Sequence, residues 1–177
     1  AGWRRSGAAR LAADGLELTP AAANQRGAAF WPAAVDARRL DVSFDALLTG
    51  GTGADGLALV LADPARGATP ASLGAAGAGL GFSGIPGWAA ALVTWRNNGV
   101  AAPFAGISDG AVPGRPWLPR WVATTAAVPP LRTPTPSRVR VQVTDGVLRL
   151  AVNGQERVSA PVSLPERVLV GFAGGTG

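Results

Sequence analysis

"SRVRVQVTDGVLRLAVNGQERVSAPV" (residues 137–162) decides the fold class. Val139, Val141 and Val143 alternate with Arg138, Arg140 and Gln142, the period of two that sends successive side chains to opposite faces of a strand. Asp145-Gly146 and Asn153-Gly154 each interrupt the pattern. Such pairs tolerate the positive φ of tight hairpin turns, so the segment predicts three consecutive antiparallel strands. Working outward, "LDVSFDALLTG" (40–50) sets Leu40, Val42, Phe44 and Ala46 against Asp41, Ser43 and Asp45, a half-buried strand. "GLALVLAD" (56–63) is apolar throughout, as a strand covered on both faces would be, and "RVLVGF" (167–172) adds another. Helical periodicity is absent, and residues 70–87 form a long Gly-rich loop that no helix would tolerate. The expected fold is all-β, an antiparallel β-sandwich, in a single domain covering residues 1–177.

Composition narrows the function. Hydrophobic residues make up 47% and charged residues 15%, which fits a globular chain. All basic residues are Arg, and Lys, His, Cys, Met and Tyr are absent; with abundant Ala, Gly and Pro this is the imprint of GC-rich coding. The net charge is +5, but the arginines are scattered, with only Arg4-Arg5 and Arg38-Arg39 adjacent. A nucleic-acid binder concentrates its charge on one element, so nucleic acid is not an expected partner. No run approaches the roughly 18 apolar residues of a membrane span, so no membrane insertion is expected. The chain opens at Ala1 and stops after "GFAGGTG", and it is expected to be trimmed at both ends.

Catalysis finds little material. No His is available as the base of a serine triad, and the 11 acidic residues form no close cluster on one strand for glycoside hydrolysis. Two patterns, Gly51-Gly53-Gly56 and Gly79-Gly81-Gly84, have dinucleotide-fingerprint spacing, but strands rather than helices are expected after both. They read as turns, and the chain as a non-enzyme. What remains is Asp55, in a Gly-rich turn ahead of a buried strand. It reads either as a turn former or as a rigidly held acceptor for the hydroxyls of a neutral polyol.

Taken in order, the segments resemble the L-type lectin family, the legume-lectin-like domains also found in bacterial and secretory-pathway proteins. "GLELTPAAANQRGAAFWP" (15–32) is similar to the family's opening strand and "LDVSFDALLTGGTGADGLALVLAD" (40–63) to its strand, Gly turn and Ala-Asp-Gly segment. "GAGLGFSGI" (77–85) matches the Gly-rich loop, and "VTWRNN" (93–98) the aromatic-X-Asn segment. "VQVTDGVLRLAVNG" (141–154) and "LVGFAGGTG" (169–177) match the back-sheet hairpin and the closing signature.

The resemblance implies a concanavalin-like jelly roll that binds glycans or polysaccharide, on a bacterial-type secreted or cell-surface protein. It implies that Asp55, reached through Ala54, accepts hydrogen bonds from two sugar hydroxyls. A backbone N–H within Gly77, Ala78 and Gly79 donates, the Asn97 amide completes the polar set, and an aromatic stacks on the sugar, with Trp95 and Phe104 the nearest in sequence. Family members carry a calcium and a transition-metal ion beside this site. Here the four ligand positions are Ala91, Val93, Ala102 and Phe104, all apolar, so no cofactor and no bound metal are expected. In the family the Ala-Asp peptide is cis; loss of the ions leaves both geometries open for Ala54-Asp55. Two or three net hydrogen bonds at about 0.5–1.5 kcal/mol each give roughly millimolar affinity per site. Several copies, in a homo-oligomer or multidomain protein, would make such binding useful. The alternative is a lectin-fold structural or protein-interaction module that has lost its sugar.

Overall fold

The structure is a computed structural model that describes residues 2–177. Fourteen strands run in chain order: β1 (Arg4–Gly7), β2 (Arg10–Ala12), β3 (Gly15–Glu17), β4 (Arg26–Phe30), β5 (Val35–Asp36), β6 (Arg39–Ala46) and β7 (Gly56–Ala62). β8 (Gly87–Val93), β9 (Phe104–Val112), β10 (Arg115–Thr125), β11 (Ser137–Thr144), β12 (Val147–Val152), β13 (Gln155–Pro161) and β14 (Arg167–Gly175) follow. The front sheet is ordered β1-β4-β14-β7-β8-β9-β10, with β5 paired to β14; the back sheet is β13-β12-β11-β6, and β2-β3 is a separate hairpin. Every strand pair is antiparallel. The only helical elements among the described residues are 3-10 turns at Pro64–Arg66 and Gly77–Gly79.

The expected sandwich and its decisive hairpins are present. Asp145 and Gly146 have φ of 52° and 74°, and Asn153 and Gly154 have 53° and 80°, so both turns use the positive φ for which those residues are suited. Val139, Val141 and Val143 face the other sheet, while Arg138 and Arg140 face solvent. There they pair with Asp45 and Asp41 of β6 at 3.1 and 2.6 Å, exposed contacts that contribute little to stability.

β7 is apolar throughout because it serves two cores. Leu57, Leu59 and Leu61 pack between the sheets against Val139, Val141, Leu148 and Leu150. Ala58, Val60 and Ala62 point the other way, into a second cluster with Ala91, Val93 and Phe104, roofed by Leu80, Phe82 and Ile85 of the Gly-rich loop. Each such leucine, valine or phenylalanine stabilises the fold by about 1.5–3 kcal/mol on burial. The loop of residues 70–87 is therefore a third layer lying on the front sheet, and its Gly77–Gly79 turn borders Asp55.

Candidate functional site

Asp55 immediately precedes β7, where the Gly50–Gly53 turn delivers the chain to the sheet. The Ala54-Asp55 peptide is cis. The Asp55 N–H donates to the Gly175 carbonyl at 3.0 Å, and the Thr94 N–H donates to the Asp55 carbonyl at 2.8 Å. Two neighbouring strands, β14 and β8, thus fix its backbone. The Thr94 hydroxyl adds a 2.5 Å bond to the Gly53 carbonyl.

The side chain is held and left unanswered. Asp55 is 5% exposed, and its buried Oδ2 has no hydrogen-bond partner among the described residues. A Cβ on Gly77 would lie 3.8 Å from Oδ2 and one on Gly177 would lie 2.9 Å away, so two glycine backbones bracket the carboxylate. Burial without a compensating charge pushes its pKa above the ordinary carboxylate value.

The Gly77–Gly79 turn forms the opposite wall. The Gly77 N–H donates to the Thr176 carbonyl at 3.2 Å and the Gly79 N–H to the Ala76 carbonyl at 3.0 Å. Among the described residues, that leaves the Ala78 N–H as the donor of the turn with no acceptor. The Ala78 carbonyl is taken by Asn97 Nδ2 at 2.8 Å.

Asn97 is 1% exposed and bonded on every side. Its backbone makes a two-bond bridge with Val100, and its Oδ1 accepts from the Trp121 indole N–H at 3.2 Å. Trp121, on β10, lies edge-on to Phe104 with ring centroids 5.2 Å apart and an interplanar angle of 89°. The structure therefore brings Asp55, Gly77, Ala78 and Asn97 together around one turn, with Asn97 acting through Ala78.

The aromatic expectations divide. Trp95, just after Thr94, is 55% exposed and has a free indole surface. Phe104 is fully buried beneath Trp121 and offers no face to a sugar, which corrects its assignment as a stacking residue. Its position on the face of β9 that the Gly-rich loop covers, in the second cluster, makes it core. In "PWLPRW" (116–121), Trp117 is 56% exposed while Trp121 is partly buried. Sequence reasoning gave Trp121 no role at Asn97, because a bond between residues 24 apart on different strands leaves no local pattern.

Neighbouring strands place the family's metal-ligand positions together, and they do not fit an ion. Ala91, Val93 and Phe104 are each fully buried, and Ala102 packs against them with Trp121. Asn97 Oδ1, the one candidate oxygen, already accepts the indole proton. Among the described residues no group of three or more His, Cys, Asp and Glu lies together.

No family model matches the chain, and no curated protein matches it in sequence. Solved structures do match. The exoplasmic/lumenal domain of VIP36, in its form bound to Ca2+ and Man3GlcNAc, superposes with a TM-score of 0.72 at 17% identity, covering 99% of this chain and 76% of that one. The chain has the L-type lectin fold. The metal-free carbohydrate recognition domain of Emp46p aligns with this lectin-fold chain at TM-score 0.68 and 18% identity, over 97% of this chain and 79% of that one. The carbohydrate binding module CBM66 from Bacillus subtilis aligns at 0.65 and 11% identity, over 97% and 86%. No helix among the described residues is long and apolar enough to cross a membrane.

Proposed function

We propose that this lectin-fold chain is a non-catalytic carbohydrate-binding domain that works without a metal ion. The unpartnered Asp55 carboxylate carries the reading: the fold spends backbone bonds from two strands to fix a nearly buried acceptor and then gives it no donor. Leaving such a group unsatisfied costs about 1–3 kcal/mol, and sugar hydroxyls are donors of the right kind. The Ala78 N–H supplies the reciprocal donor, and Trp95 supplies an exposed ring for the apolar face of a pyranose. Asn97 positions Ala78. In place of an ion, the Trp121 N–H fills the lone pair of Asn97 Oδ1, over a dry cluster of Ala91, Val93 and Phe104.

Hydrolysis is disfavoured by distance. The buried carboxylates are Asp55 and Asp63, at opposite ends of β7. Eight residues of extended chain separate them by about 25 Å, against the roughly 5–10 Å at which paired glycosidase carboxylates work. Asp63 Oδ1 is also occupied, accepting from Ala65 N–H at 2.9 Å.

The setting that suits a weak single site is a secreted or cell-surface protein, bacterial in type, that presents several copies to a glycan. One observation favours the other reading, a scaffold that has lost its sugar: both polar atoms of Asn97 are consumed internally. A glycan array separates the two, with the protein displayed multivalently in chelator beside Asp55→Ala. Binding that survives chelation and is lost in the variant supports the lectin. A folded protein that binds no glycan with or without Ca2+ supports the scaffold, and binding that needs Ca2+ overturns the metal-free site.

A further inference from the structure

A second recess adjoins the Asp55 site on the far side of the Gly50–Gly53 turn. Its volume is about 220 Å³, and Thr19, Thr49, Thr52, Ala54, Arg132 and Gly177 are among the residues that line it. Asp55 does not line it. Ala54 and Gly177 do, and Gly177 also stands against Asp55 Oδ2, so the two spaces share a wall.

Arg132 is seated in this recess deliberately. Its Nη2 donates to the Gly50 carbonyl at 2.7 Å. The guanidinium lies against Gly53, where a Cβ would come within 2.7 Å of Nη1 and 3.0 Å of Cζ. Gly53 also has a φ of 109°, so both its conformation and its neighbour require glycine. Arg132 is in no ion pair among the described residues. Four of its five N–H groups remain to serve a ligand. The recess is smaller than the roughly 300–1,000 Å³ of drug-sized pockets and suits one substituted sugar residue. The chain's net charge of +5 attracts an anionic polymer to either site.

We infer that the Arg132 recess is a subsite for the carboxylate of an acidic sugar, so that the preferred ligand is a uronic-acid-containing glycan whose adjacent residue occupies the Asp55 site. The planar guanidinium fork matches a carboxylate in bidentate fashion, and the threonines would receive ring hydroxyls. The inference rests on the carbohydrate reading of Asp55 but can fail separately from it.

The test is titration of the full-length protein with a uronic-acid oligosaccharide, its carboxyl-reduced neutral counterpart and a sulfated neutral one, at two salt concentrations. The expected result is about tenfold tighter binding of the uronate over the neutral ligand. That preference should shrink as salt rises and vanish in Arg132→Gln. Arg132→Lys, which keeps the charge but loses the fork, should retain a small part of it. An unchanged preference in a folded Arg132→Gln overturns the subsite while leaving the Asp55 reading intact. So does equal binding of uronate and neutral ligand by the parent protein. A preference for the sulfated ligand over the uronate overturns the carboxylate assignment. Absence of binding to all three by the folded protein overturns the subsite, and the glycan array then decides the Asp55 reading by itself.

Discussion

Asp55 and Asn97 are the two polar residues that the lectin pattern keeps, and the structure treats them in opposite ways. Asp55 has a fixed backbone and an unanswered carboxylate. Asn97 has every polar atom of its side chain engaged, one toward Ala78 and one from Trp121. On the proposed reading the first meets a ligand from outside the chain, while the second holds Ala78 inside it. The lesson is that retention of a residue type does not preserve its task. Where the resemblance implies a sugar contact for Asn97, the structure has its amide turned inward, held by an indole N–H over an aromatic floor.

The largest effect should come from breaking that floor. Phe104→Ala removes a fully buried ring from beneath Trp121 and from contact with the second cluster. Loss of a buried phenylalanine typically costs about 3–5 kcal/mol. Chemical denaturation should show that loss with or without Ca2+. Full stability of the variant would show that the filled metal position carries no structural weight.

A smaller effect separates the hydrogen bond from the packing. Trp121→Phe keeps a ring on Phe104 but deletes the donor to Asn97 Oδ1. A buried acceptor left unpaired costs about 1–3 kcal/mol, and freedom at Asn97 should loosen Ala78 and weaken glycan binding several-fold. Asn97→Ala should lower stability to a similar degree. The two losses should add only in part in the double variant, because the Trp121–Asn97 bond is common to both while Asn97→Ala also deletes the bond to Ala78. Full additivity of the two substitutions in denaturant titrations would break the relay from Trp121 to Ala78.

Much of this was legible in one dimension because strands and hairpin turns are local. The alternation from Arg138 to Val143, the Asp145-Gly146 and Asn153-Gly154 turns and the solid apolar run of β7 each state their structure in fewer than ten residues. β9 and β10 were not legible. Pro116 and Pro119 argue against a strand, yet β10 is the sheet edge, where its register shifts accommodate them. Within the site, Asp55 could be picked out by its turn, but the fate of Asn97 could not. Its partners are at positions 78 and 121, brought together only when the Gly-rich loop covers the front sheet and β10 pairs beside β9 at its edge. Phe104 looked like a ring near the binding loop for the same reason: sequence proximity does not tell which face of a strand a residue occupies.

The smallest effect tests the Asp55 side of the comparison by its sign. A residue kept for binding at a cost to the fold should be improvable. Asp55→Asn preserves shape and removes the charge that burial disfavours. Without ligand it should raise stability near pH 7 by about 1 kcal/mol, or roughly 2–4 °C in a domain of this size, while glycan binding falls. Because burial raises the folded-state pKa of Asp55, its ionised form penalises the native state at every pH above that value. The penalty declines as pH drops through the raised folded pKa and is gone below the ordinary carboxylate value near 3.9. The advantage of the Asn variant should therefore be full at neutral pH and disappear in acid, which melting curves from about pH 7 to about pH 3 would read directly. A destabilised variant at pH 7 would mean that the carboxylate already has a partner inside the fold, and Asp55 would then belong with Asn97 as part of the foundation.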